Sequence, residues 1–189
     1  MIFLYLILGH FLADFVFQPD ELIEWKNKSW KGVLAHALIH FSFETLLFLP
    51  FLTMGNVMPV IVSIVLLHFI IDCSKIFFES KNHHFITLFF LDQAAHLSVI
   101  VAGGFLLLPT MSQLPKTGLF FGFYDIPACI LYLILAILIS YGAEIVKLQF
   151  LLEKDPSVKL KMDYWKISAR LGIFTVIYIL VVQIFYKLF

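Results

Sequence analysis

The sequence predicts an all-α membrane protein with six transmembrane helices, and three observations carry that expectation. Apolar residues make up 61% of the 189 residues and charged residues 14%, with a mean hydropathy of +0.97. A soluble domain is about half apolar and about a quarter charged. Charges, Pro and Gly divide the chain into six apolar runs, each near the ~20 residues that a helical crossing needs. Lys and Arg gather in alternate connections. The formal net charge is +0 and no basic run is present, so no nucleic-acid partner is expected.

The first run, 1–17, has no positive n-region and no small-residue cleavage site, so it reads as a retained helix and not a signal peptide. The connection 18–32, "QPDELIEWKNKSWKG", predicts a short interfacial helix with Trp25 and Trp30 towards lipid. Runs 33–52, 57–78 and 85–108 follow, then an external Pro- and Gly-containing loop over 109–125. Run 126–150, a solvated cytoplasmic turn over 153–163 and run 167–188 complete the chain. Each run must be helical, because lipid offers no partner to an open backbone. Two blocks result: a four-helix polar-core bundle over 1–108, and two C-terminal transmembrane helices over 126–189.

Orientation follows from the cations. Lys26, Lys28, Lys31, Lys75, Lys81, Lys147, Lys154, Lys159, Lys161, Lys166 and Arg170 fall in or beside the odd-numbered connections, and only Lys116 and Lys187 fall on the other side. The positive-inside bias therefore puts both termini outside and the basic connections in the cytoplasm. Trp25, Trp30 and Trp165 lie on the same side, where an aromatic belt would hold them. Cys73 and Cys129 fall near opposite faces, so no disulfide is expected.

Ionisable groups inside spans are costly and default to function. His10 and Asp14 lie in the first helix, His36, His40 and Glu44 in the second, His68 and Asp72 in the third, and Asp92 and His96 in the fourth. A four-residue spacing sets each pair on one helix face. At a rise of about 1.5 Å per residue, all nine lie between about 5 and 20 Å from the cytoplasmic helix ends. The pattern also repeats: His10–Asp14 then His36–His40 parallels His68–Asp72 then Asp92–His96. The two hairpins are thus related by a parallel internal repeat, with a pseudo-two-fold along the membrane normal.

One His and one Asp four apart can satisfy each other, so a single ladder is more often structural. Four co-layered, repeat-related ladders point to a shared centre. Imidazole with carboxylate suits a divalent metal, zinc first, with iron or manganese as alternatives. His10, Asp14, His36, His40, His68, Asp72, Asp92 and His96 are the candidate ligands. Such an ion neutralises buried carboxylates and activates water, whose proton Glu44 or Asp92 would take. Gln18, Lys28, Lys75 and Gln93, at the cytoplasmic lip or beside Asp92, are candidate contacts to a substrate headgroup. Snorkelling explains the lysines equally well. His83 and His84 read as bland edge residues, Glu144 and Lys147 as an ion pair, and Gly103–Gly104 as a close-packing site. Arg170 could meet a phosphate or serve topology alone.

The stretches "GHFLADFVFQPD" with "WKNKSWKG", "LAHALIH", "LHFIIDCSK" and "LDQAAHLSVI" resemble a bacterial integral-membrane family known only as domain of unknown function 3307. They cover about residues 9–100. By position, His10, Asp14, Gln18, Lys28, His36, His40, His68, Asp72, Lys75, Asp92, Gln93 and His96 occupy that family's motif positions. The resemblance implies a bacterial inner-membrane protein with this polar set and implies no activity. Relatives tend to carry Glu-Arg in the last helix, where this chain has Ala169-Arg170.

Three functions compete. A metal-dependent hydrolase would act on a membrane lipid or lipid-linked substrate at the cytoplasmic leaflet. A metal-ion or proton transporter would use the same residues as a pathway, although an unbroken helix beside them argues against it. A haem protein or a non-catalytic partner would use the polar core to fix helix pairing.

Overall fold

The computed structural model describes residues 1–81, 84–112, 127–158 and 161–188, and the regular elements among them are all helical. Helix α1 (Ile2–Phe11) continues into a π turn over Leu12–Val16. The chain then bends by 92° into α2 (Asp20–Lys28). Pro19 occupies the cap before α2, where its missing N–H costs nothing. Asp20 and Glu21 in the first turn of α2, with Lys26 and Lys28 in its last, suit the helix dipole. Trp25 and Trp30 are exposed, as the interfacial reading requires.

Helix α3 (Trp30–Leu47) starts at Ser29, whose hydroxyl accepts from the Lys31 amide at 3.2 Å. It is followed by α4 (Val57–Glu79) and α5 (Phe85–Ser112). Then come α6 (Pro127–Ile137), a second π turn (Leu138–Gly142), α7 (Ala143–Lys154) and α8 (Tyr164–Leu188). Four helical segments are long and apolar enough to cross a membrane: Val57–Glu79, Phe85–Thr110, Pro127–Lys154 and Tyr164–Ile184. A fifth results if Ile2–Val16 and Asp20–Lys28 count as one bent span. Helix α3, expected as a crossing, does not join them. Its Lys31, His36, His40 and Glu44 dilute an otherwise apolar sequence.

Two boundaries differ from expectation. Helix α5 runs on through Pro109 to Ser112, so the expected loop begins later. The rest of that loop, 113–125, lies outside the described residues, as does His83. Helix α1 is also not regular to its end: the π turn carries Asp14. Such turns aim a side chain off the α-helical register and occur often at functional sites. The continuity expected beside the polar ladder is therefore absent.

Above the polar layer, Leu6, Val57, Ile61 and Leu107 have no exposed surface. Ile130, Ile134 and Ile137 of α6 join the same core. Gly103 and Gly104 permit that closeness, since a Cβ on Gly103 would lie 2.6 Å from Ile64 and one on Gly104 would strike the Phe3 ring. Helix α8 instead exposes Ile173, Val176, Ile177 and Leu180, a surface suited to lipid. In the turn after α7, Asp155 accepts from the Ser157 hydroxyl at 2.6 Å and from its amide at 2.9 Å.

Candidate metal centre

All nine ionisable residues of the four ladders converge, and each is buried. Asp14 is the hub. Its Oδ1 lies 2.8 Å from His40 Nε2 and 3.0 Å from His36 Nε2, with His68 Nε2 at 3.8 Å. Its Oδ2 accepts from Gln93 Nε2 at 3.1 Å and faces His10 Nε2 at 3.6 Å. The π turn brings Asp14 across to α3 and α5 and not only to its own helix partner, so the ladders do not simply satisfy themselves.

The imidazoles stack into one body. Ring centroids are 3.6 Å apart for His40–His68, 4.0 Å for His68–His96 and 5.3 Å for both His10–His40 and His10–His96. His10 Nε2, His68 Nε2 and both ring nitrogens of His96 have no hydrogen-bond partner although buried. Buried polar atoms are normally satisfied. A set of unpaired imidazole nitrogens beside a carboxylate is the donor set a divalent ion takes. Three groups can hold a metal ion, with ligand atoms all within 4.8 Å of one another in each: His10–Asp14–His40–His68, His36–His68–Asp72, and Asp72–Asp92–His96.

Two of the aspartates already hold a cation. Lys26 Nζ lies 3.2 Å and 3.1 Å from the two oxygens of Asp72. Lys75 Nζ lies 3.3 Å from Asp92 Oδ2 and 4.0 Å from Glu79. The Gln18 amide, oriented to satisfy its neighbours, donates to the Asp14 carbonyl and accepts from Lys26, both at 3.0 Å. Lys28 is exposed and pairs with Glu24 at 3.1 Å.

Two cavities adjoin the cluster. A small one of about 10 Å³ is lined by His10, His40, His68, His96 and Glu44, roofed by Ile64 and Ile100. That volume is near the lower limit, about 10–15 Å³, for admitting one water. Glu44 Oε2 is buried there without a hydrogen bond. A Cβ on Gly9 would stand 2.8 Å from Glu44 Oε1, so the carboxylate lies in the space that a side chain at residue 9 would take. The larger cavity, about 470 Å³, reaches Asp14, Asp92 and Gln93 and has Phe89, Leu148 and Met162 among its apolar lining. Gln18, Lys28 and Lys75 line it too.

Residues 2–117 match the family described as a protein of unknown function (DUF3307). The chain belongs to this family. The match spans α1–α5 and hence every residue of the cluster. No curated protein and no solved structure matches the chain.

The sequence reading undervalued Lys26, which counted only as an orientation signal. Its signal was the phase of α2: Leu22 and Lys26 are four apart, and both are buried. Arg170 is also accounted for. Its guanidinium lies 3.0 Å from Glu144 Oε2 and donates to the Ser140 carbonyl at 3.2 Å. Lys147 completes the expected pair with Glu144 at 2.6 Å. His84 sits exposed beside Glu153 at 3.5 Å.

Proposed function

We propose that this protein is an integral membrane metalloprotein, and that its centre hydrolyses a lipid or lipid-linked substrate at the cytoplasmic leaflet. The observation that carries the reading is the contact between an imidazole cluster with unpaired nitrogens and a cavity large enough for a headgroup. Asp14 belongs to both. The ion proposed is zinc, because the donors are imidazole nitrogens with carboxylate oxygens and no thiolate.

A divalent ion there supplies Lewis acidity, polarising an ester or phosphoester oxygen and making water more acidic. The residues of the chain do the rest. Asp92 is the proton acceptor that meets the large cavity, and its Oδ1 has no hydrogen bond. Glu44 faces the closed pocket instead. Gln93 donates to both Asp14 and Asp92, at 3.1 Å and 3.4 Å, and holds the two carboxylates in register. Gln18 and Lys75 border the space a headgroup would fill, with Lys28 at its exposed margin. Hydrolysis consumes one water: its oxygen bonds to the acyl or phosphoryl centre as the bond from that centre to the leaving oxygen breaks, one proton passes by way of Asp92 to the leaving oxygen, and the other stays with the acid product.

Six crossings remain part of this proposal. Helix α3, at about 1.5 Å per residue, spans about 27 Å, close to the hydrocarbon thickness. It turns His36, His40 and Glu44 inward and exposes Leu34, Leu38 and Leu46. The parallel repeat is supported by the packing of α1 on α3 and of α4 on α5. The bias of Lys and Arg supports termini outside the cytoplasmic membrane of a bacterium. It also sets the polar bundle of 1–108 apart from the C-terminal pair at 126–189.

Purified in detergent, the protein should carry zinc at a fixed ratio, and His40→Ala should carry none. Asp92→Asn should keep the metal and lose turnover on lipid phosphates or esters in nanodiscs. Metal-free wild type after zinc equilibration would end the proposal. The transporter reading draws support from the π turn at Asp14 and the 92° bend beyond it, both features of broken helices. Against it, Leu6, Ile61, Ile100 and Leu107 seal the far side of the cluster. Zinc uptake into proteoliposomes, abolished by Asp14→Asn, would favour transport.

A further inference from the structure

Ligand geometry alone would allow two ions. The groups His10–Asp14–His40–His68 and Asp72–Asp92–His96 share no residue, and each brings its donor atoms within 4.8 Å. The middle group competes with both, because it borrows His68 from the first and Asp72 from the second. What separates the two disjoint groups is lysine. Asp72 is bound through both oxygens to Lys26, which is itself buried, and Asp92 is bound through Oδ2 to Lys75. Among the described residues no ammonium approaches Asp14 in this way: its neighbours are His10, His36, His40, His68 and Gln93.

We infer that the centre holds a single divalent ion, on His10, Asp14, His40 and His68, and that the ammonium groups of Lys26 and Lys75 stand in for a second ion between Asp72 and Asp92. The inference rests on the metal-centre reading and adds its nuclearity and ligand set. Charge balance supports it. Asp72 and Asp92 are each matched by a lysine, which leaves Asp14 and Glu44 as the buried carboxylates without one. A second ion between Asp72 and Asp92 would stand beside two ammonium groups in a low-dielectric layer, at high cost. The lysines also reach the layer from different directions. Lys26 comes from α2, beyond the 92° bend, and Lys75 from the end of α4. Neither is an accident of one helix face. Unpaired atoms occur in both groups, at His10 and His68 in one and at His96 and Asp92 in the other, so it is the lysines alone that place the ion on the Asp14 side.

The test counts ions in detergent-purified protein equilibrated against buffered zinc, by plasma mass spectrometry. Wild type should bind one zinc per chain. The double variant Lys26→Met with Lys75→Met keeps the apolar stems but removes both charges, and it should rise towards two. Lys26→Arg should stay at one. Two ions in wild type, or a folded double variant that stays at one, would overturn the inference. Should the double variant not fold, wild type loaded with manganese decides the matter by electron paramagnetic resonance. An isolated-ion six-line spectrum is expected, and an exchange-coupled spectrum would overturn it. Wild type that binds no ion would fail the metal-centre reading itself, which two ions would leave standing.

Discussion

The protein buries acidic groups in two places, and it treats them in opposite ways. In α6–α8, Glu144 is fully buried, but Lys147 and Arg170 flank its two oxygens, and both side chains are partly exposed. The group is a clamp between the second π turn, α7 and α8. In α1–α5, Asp14 and Glu44 pair with no lysine or arginine among the described residues, and imidazole nitrogens around them lack partners. A compensated carboxylate explains itself as structure. A carboxylate among unsatisfied donors and acceptors does not, because folding alone would not retain that cost. The difference teaches where to look for chemistry: burial marks both sites, and carboxylates that meet imidazoles in place of a lysine or arginine mark one.

Several substitutions break or sharpen this contrast. Asp72→Ala has the largest expected effect on stability, since it strands the buried Lys26 ammonium. It should cost about 3–5 kcal/mol by thermal or denaturant unfolding in detergent while zinc content stays near one. Chelation comes next. Removing an ion held at 100 times its Kd should withdraw about 2.7 kcal/mol of stabilisation, read as a fall in Tm. The fall should vanish in His68→Ala. Glu144→Ala should cost about 1–3 kcal/mol, because its two cations can turn to water, and the chelator-dependent shift in Tm should persist undiminished. A lost shift there would mean that the clamp and the centre are one site.

The smallest effect belongs to Ser157→Ala, outside both regions. The Ser157 hydroxyl and then its amide hold the Asp155 carboxyl below its usual range. A lowered folded pKa adds stability above the ordinary aspartate value of about 4 and loses it as pH falls through the lowered value. The variant should therefore differ from wild type at neutral pH and converge on it in acid, with zinc content unaltered.

Much of the centre was legible in the linear order. His10 and Asp14, His68 and Asp72, and Asp92 and His96 are each four apart, so helical phase alone put every pair on one face. Their common distance from the basic helix ends placed them in one layer. Less legible was anything that depends on departures from regular geometry. The π turn at Leu12–Val16 has no signature in apolar periodicity, yet it decides where Asp14 points. Lys26 looked like one more cytoplasmic cation until the bend after Val16 carried it back over Asp72.

The sequence by itself determined the class of the molecule, the helices and the identity of the residues that must share an interior. These depend on local spacing and on transfer free energy, which add up along the chain. Only the tertiary structure decided which oxygen faces which nitrogen. It also set two lysines on two aspartates, left Asp14 to the imidazoles and gave Asp92 rather than Glu44 the cavity. Those outcomes depend on how far each helix is rotated and tilted when Gly9, Gly103 and Gly104 let their neighbours approach, and no residue encodes that alone.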